Sequence, residues 1–334
     1  MKAALALLLA LVVAALGAIG WLELRSTAAH STDTALRVSF EVPRGASGQR
    51  IGELLADQGL IDSPMYWRWH LMRRGGLKAN AGMHELGPGM TLPEIASQLE
   101  KPTMAAEIPF VVVEGYRIAD TDAALVAAGL IDPGEYIAAA RDPSRFTAAF
   151  PLPTDSLEGY LYPETYRVGR ERADVYKLIQ RQLELFNERF YAEFRDELEK
   201  SGRTLHEIVV MASMLEREEP VPAQRPLVAG ILWKRIDNGV PLGVDATSRY
   251  ELAQWNDRKA FLKRLRDPSD IWNSRHRKGL PPGAIGAPTV SSLVASLRPV
   301  KSEYWYYLHD ADRRLHPSRN GAEHEALRRK YNVY

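Results

Sequence analysis

Cysteine is missing altogether from the 334 residues. Its absence excludes disulfide scaffolds, Cys-ligated zinc, iron–sulfur clusters, thiol nucleophiles and Cys-based lipidation. An excess of either charge is missing too, since 43 Lys and Arg stand against 42 Asp and Glu for a formal charge of +1. That balance leaves no electrostatic footprint of a nucleic-acid binder, and 46% hydrophobic residues are too many for a disordered chain. The eight histidines are dispersed, with no pair at a metal-ligand spacing, so neither a structural metal nor a cofactor is expected. Gly-rich phosphate loops, nucleophile elbows, HExxH and EF-hand patterns are absent as well.

Long hydrophobic runs are scarce, and the exception is informative. Ala3 to Leu22 carries no charge and is bounded by Lys2 on one side and by Glu23 and Arg25 on the other. Twenty helical residues span about 30 Å, the hydrocarbon thickness of a bilayer. A membrane anchor is therefore expected over residues 1–22, the alternative being a cleaved signal peptide cut near Ala15 or Gly17. Lys2 favours an N-terminus in the cytoplasm with everything after Leu22 exported. Nucleotide cofactors are scarce outside the cytoplasm, so an exported enzyme must work on material found there.

The remaining length suits roughly two domains of about 150 residues. Ser26 to Ala35, small and mostly polar, reads as a linker. Leu36–Val42 alternates as a strand with Val38, Phe40 and Val42 on one face, and after Pro43-Arg44-Gly45 the residues Ile51, Leu54 and Leu55 recur at helical spacing. Similar passages follow at Leu86–Leu99 and from Val113 to Ile131, and the first and third both end in Gly-Leu-Ile. Three imperfect strand-turn-helix copies predict a small α+β module. Beyond a Pro-rich loop at 150–154, Ala173–Leu198 has the periodicity of a long amphipathic helix with a core stripe of Tyr176, Phe186, Phe190 and Phe194. Lys259 to Arg266 reads as a solvated basic helix face.

The next helix bears the candidate for chemistry. Thr204 and Glu207 fit a capping box, and the apolar face runs through Leu205, Ile208, Val209, Ala212 and Leu215. Glu216, four residues after Ala212 and seven after Val209, falls beside that stripe, whereas Arg217 and Glu218 fall on the polar flank and Glu219 stands against the helix-ending Pro220. A carboxylate at the end of a buried face is either structurally paired or a raised-pKa acid, the second being what glycosidic cleavage requires. Asp245 and Thr247, two apart after Pro241, are expected on one face of a short extended stretch, and Asn273 precedes the rigid loop Gly279–Gly286.

Taken together, Glu158-Gly-Tyr-Leu-Tyr-Pro-Glu-Thr-Tyr166, Ala212-Ser-Met-Leu-Glu-Arg-Glu218, Val244-Asp-Ala-Thr247, Gly279-Leu-Pro-Pro-Gly283 and His316-Pro-Ser-Arg-Asn-Gly-Ala-Glu-His324 resemble, in this order, the YceG-like or MltG-type endolytic murein transglycosylases. The resemblance implies an α+β protein with an N-terminal transmembrane helix (1–22), a juxtamembrane linker (23–36), a LysM-like subdomain (37–104) and a helix-rich catalytic domain (105–334). It implies a single-pass protein of the inner membrane whose body faces peptidoglycan and works beside peptidoglycan synthases (penicillin-binding proteins). The implied reaction cleaves the β-1,4 bond between N-acetylmuramic acid and N-acetylglucosamine, leaves a 1,6-anhydro end and terminates new strands. Glu216 is implied as catalytic, with Asp245, Thr247, Asn273, Arg225 and Glu164 as substrate contacts. The chain departs from the family at Asp245-Ala-Thr247, usually Asp-Pro-Thr, at Trp272-Asn-Ser-Arg275, usually Tyr-Asn-Thr-Tyr, and at Pro317. Tyr160, Tyr162 and Trp272 are candidates for stacking on sugars. A muramidase-type hydrolase, with Glu164 or Asp245 as its second carboxylate, and a silent wall-binding scaffold are the alternatives.

Overall fold

A computed structural model describes residues 2–101 and 107–332, in two units, Met1–Glu107 and Ile108–Tyr334. The boundary expected at 104/105 lies outside the described residues. The first unit begins with α1 (Lys2–Thr27), which continues past Leu22, so Glu23 and Arg25 are helical where a linker was expected. β1 (Val38–Val42) pairs antiparallel with β2 (Gly82–Leu86), Val38 opposite Leu86. Between and after them lie α2 (Gly48–Asp57), α3 (Pro64–Arg74) and α4 (Leu92–Leu99). Strand alternation turns Phe40 and Val42 inward, where they join Ile51, Leu55, Trp67, Leu86, Ile95 and Leu99 in one core. The Trp67 indole N–H donates to the Gly48 carbonyl at 2.8 Å, and Thr91 with Glu94 forms a reciprocal capping box on α4.

β3 (Glu107–Val111), all but its first residue in the second unit, and α5 (Ile118–Ala127) form the third strand-turn-helix copy. β3 pairs with β4 (Thr165–Gly169), not with β1 or β2. The expected three-copy module is thus divided, two copies forming one sheet and the third contributing to the larger unit. Its strand finds a partner far along the chain, which no local periodicity encodes. α6 (Glu135–Ala140) precedes β4. The expected long helix is α7 (Val175–Phe186) and α8 (Ala192–Ser201) joined through a π-helical turn at Asn187–Tyr191. Phe186 and Phe190 are fully buried, whereas Tyr176 is exposed.

At the centre is α9 (Leu205–Glu218), buried continuously from Ile208 to Leu215 and capped as expected by Thr204 and Glu207. α10 (Arg225–Asp237), α11 (Arg258–Leu265) and α12 (Val290–Leu297) follow. α9 is tied to α12 by the Ser296 hydroxyl, which donates to the Ile208 carbonyl at 3.1 Å. Gly159 of the Glu158–Tyr166 motif has φ +85°, and a Cβ there would lie 2.4 Å from the Ala284 methyl and 2.7 Å from Val209. Only glycine lets this loop press onto α9. The chain ends in a hairpin of β5 (Tyr306–His309) and β6 (Leu315–Ser318) followed by α13 (Gly321–Tyr331).

Candidate active site

Four consecutive charged residues close α9, and a 100° turn per residue sends each to different surroundings. Pro220 then forces Glu219 into an extended conformation (φ −117°, ψ 102°) and ends the helix. Glu216 points toward α10 and the start of α12, its side chain 4% exposed. Arg225 grips it with Nη2 to Oε1 at 2.9 Å and Nη1 to Oε2 at 3.3 Å, while the Thr289 backbone N–H and hydroxyl donate to Oε2 at 2.8 and 2.7 Å. Arg225 Nε also donates to the Glu219 carbonyl at 2.9 Å. The pair is a brace joining the end of α9 to α10 and α12.

Glu218 has a different setting. It lines a cavity of about 650 Å³ together with Asp245, Arg275, Arg235, Tyr307 and His309. Its Oε1 accepts from the Ala246 backbone N–H at 3.2 Å, and the Tyr307 hydroxyl hydrogen-bonds to the carboxyl. Burial first, and the neighbouring Asp245 charge second, push its pKa from 4.5 up to about 7. Asp245 is held by Arg275 through two bonds, Nε to Oδ1 at 2.8 Å and Nη2 to Oδ2 at 3.0 Å. Glu219, fully buried, accepts from the Val221 N–H at 2.8 Å and meets His309 Nε2 at 3.0 Å.

Of the residues expected at the site, Asp245 alone lines this cavity. Residues 245–247 form a turn leading into a 3-10 segment, not an extended stretch, so Asp245 and Thr247 face apart. Thr247 is fully buried, its hydroxyl donating to the Val244 carbonyl at 2.8 Å. Asn273 is fully buried as well. Its amide donates to the carbonyls of Arg264, Leu265 and Asp267, which fixes the loop that carries Arg275. Arg225 belongs to the Glu216 brace, and Glu164 is exposed with Arg189 at 3.6 Å. Tyr160, Tyr162 and Trp272 are 2%, 8% and 7% exposed, so they are core residues and no platforms for sugar.

Sequence reasoning did not single out Glu218, Arg275, Tyr307 and His309, which line the cavity. Glu218 falls on a polar flank of its helix by periodicity, and it is enclosed only by a hairpin some ninety residues later. Tyr307 and His309 alternate along β5 and therefore share a face, the one usable local signal. The closing motif builds the support for that hairpin. His316 bonds Asp310 at 2.8 Å, His324 stacks on Tyr306 with centroids 5.2 Å apart, and Asn320 caps α13.

Comparison with known proteins agrees with this architecture. The profile of the YceG-like family matches residues 40–330. An endolytic murein transglycosylase of Bacillus subtilis (strain 168) is 25% identical over 312 residues, covering 90% of this chain and 86% of the relative. One of Streptococcus pneumoniae serotype 2 (strain D39) is 22% identical over 316 residues, and the match covers 86% of this chain but only 57% of that protein. The crystal structure of a yceG-like protein from Listeria monocytogenes aligns with a TM-score of 0.58 and 25% identity, over 87% of this chain and 99% of that one. The chain belongs to the YceG-like family.

Proposed function

We propose that the protein is an endolytic murein transglycosylase, a lyase acting on peptidoglycan strands, in which Glu218 is the general acid and then the general base. The observation that carries this assignment is the contrast between two carboxylates on one helix turn. The carboxylate of Glu216 is spent on Arg225 and Thr289, while Glu218 faces an open cavity with a pKa of about 7. A carboxyl titrating there is protonated often enough at neutral pH to donate to the glycosidic oxygen. The glycosidic C–O bond then breaks as the 6-hydroxyl of the muramyl sugar attacks the anomeric carbon, and the Glu218 carboxylate takes up that hydroxyl's proton. The nucleophile belongs to the substrate and is held next to its target, so proximity supplies much of the rate. Asp245, oriented by Arg275, is the acidic wall that keeps Glu218 protonated, and Arg275 and Arg235 are the cations available to the muramyl lactyl or peptide carboxylates. Glu216, Arg225, Thr247 and Asn273 act through position.

Asp245 on the same cavity also supports the hydrolytic reading, in which a second carboxylate directs water or attacks the sugar. Mass spectrometry of products from intact glycan strands separates the two. Anhydromuramyl ends are expected, and reducing ends alone would assign hydrolysis with Asp245 as partner. In the same reading α1, with its apolar side chains exposed from Leu7 to Ile19, anchors the chain in the cytoplasmic membrane with the body outside. The β1–α2 and β2–α4 pair is the LysM-like part that meets glycan, and peptidoglycan synthases supply the strands.

Ala246 gives this site a pH signature. Its N–H bond to the carboxylate lowers the Glu218 pKa against the burial that raises it. Its φ of −57° is one that proline adopts. In Ala246→Pro the donor is lost, the Glu218 pKa rises, and the alkaline limb of the rate profile, expected near pH 7 in the parent, moves to higher pH. An unmoved limb would detach Glu218 from the titration.

A further inference from the structure

The first unit carries an exposed face that the cavity chemistry leaves unused. α3 meets the end of α1 through three side chains. The Tyr66 ring lies edge-on to Trp21 with centroids 5.5 Å apart, the Trp69 indole donates to Glu23 at 3.1 Å, and Arg73 stands 3.6 Å from the same carboxylate. Arg25 lies over the Tyr66 ring at 5.5 Å and pairs with Asp62 at 2.5 Å. Contacts spread over two turns of α3 thus converge on little more than one turn of α1, residues 21 to 25. Helices running side by side would spread their contacts along both, so α3 crosses the end of the apolar run. The inner side of α3 is fixed by Trp67, which is fully buried in the core of the first unit. Its outer side presents Met65 and Met72, 52% and 65% exposed, with the exposed Arg68 between them. Arg68 has no hydrogen bond or ion pair among the described residues. On α1, Trp21 and Leu24 are exposed at the same level, 52% and 69%.

We infer that α3 is a membrane-surface helix, in which Met65 and Met72 enter the boundary between lipid headgroups and acyl chains and Arg68 meets lipid phosphate. The inference rests on α1 crossing the bilayer. Given that, α3 lies where the apolar run of α1 gives way to charge, which is the depth of the headgroups. Methionine and tryptophan are at home at that depth, and an arginine reaches phosphate from it while its stem stays among apolar atoms. An upright α1 holds a helix crossing it close to the membrane plane. The outer face of α3 has no acidic residue to repel an anionic surface. The consequence is that the first unit rests on the bilayer and does not swing freely from its anchor.

The absence of cysteine makes the test direct. Met65→Cys and Met72→Cys, each labelled with an environment-sensitive fluorophore, report on α3 in the full chain. Glu85→Cys is the aqueous reference, because Glu85 is exposed on β2 while its neighbours His84 and Leu86 turn toward the core that holds Trp67. The labelled chains are reconstituted in vesicles of phosphatidylethanolamine and phosphatidylglycerol containing shallow nitroxide lipid, and flotation reports insertion of α1. Labels at 65 and 72 are expected to be quenched at least about twofold more than the label at 85. Arg68→Glu should reduce that difference without changing flotation. Flotation with equal quenching at all three positions would overturn the inference while leaving the anchor intact. Failure to float would overturn the anchor and the inference together.

Discussion

Replacing Glu218 by glutamine is expected to lower glycan cleavage by about 10²–10⁴-fold, the contribution of a positioned general acid and base, while the fold persists. Glutamine keeps an oxygen to accept from the Ala246 N–H and fills the same volume in the cavity, but it cannot release a proton to the leaving oxygen or collect one from the sugar hydroxyl. No ion pair is broken among the described residues, because Glu218 bonds a backbone donor and the Tyr307 hydroxyl, while His309 and Arg275 act on it through charge without a salt bridge. Glu216→Gln is the matched control two residues earlier on the same helix. Assayed below its melting temperature, it is expected to keep cleavage within about tenfold of the parent, since its carboxylate faces Arg225 and Thr289 and not the cavity. The measurement is the rate of release of anhydromuramyl products from intact strands for both variants at equal folded concentration. A folded, silent Glu216→Gln beside an active Glu218→Gln would return the acid role to Glu216.

The second large effect reverses the order of the two residues. Glu216→Gln leaves the Arg225 guanidinium, whose side chain is 6% exposed, without its counter-charge. Breaking one side of a buried ion pair costs about 3–5 kcal/mol, because the remaining charge stays desolvated. For a unit of this size that lowers the melting temperature by roughly 10 °C. The double variant Glu216→Gln/Arg225→Met removes the stranded cation while glutamine still accepts from Thr289, so it is expected to recover a good part of the loss. Thermal melts of parent, both single variants and the double variant form the cycle. Strictly additive losses would mean that the two side chains do not act as a pair. Glu218→Gln should leave the melt near the parent's, since burial already disfavours the ionised form of that carboxyl.

Several elements were legible from local pattern because short-range physics decides them. The capping box at Thr204 and Glu207, the alternation of Phe40 and Val42, and the apolar run of α1 each depend on neighbours within a turn or along one strand. The register of α9 likewise placed Glu216 against the apolar stripe correctly. What register cannot tell is whether a carboxylate so placed meets a cation or a cavity. Thr289 and Arg225, which answer that for Glu216, come from two other helix starts, and the substrate contact expected of Arg225 is replaced by an ion pair that no local pattern encodes.

The sequence by itself determined the composition limits, the one charge-free span, the helix caps, the strand periodicity and the order of motifs by which the chain resembles its family. Only the tertiary structure gave the strand of the third copy its partner, since β3 pairs with β4 and a strand partner is a long-range choice. Only the tertiary structure, too, separated the two glutamates of Glu216-Arg217-Glu218. Both are carboxylates on one helix turn, and the difference lies in what surrounds them, a guanidinium and two donors for one, a hairpin and a second acid for the other. The desolvation and neighbouring charge that raise the Glu218 pKa come from residues distant in sequence that are brought close in folding.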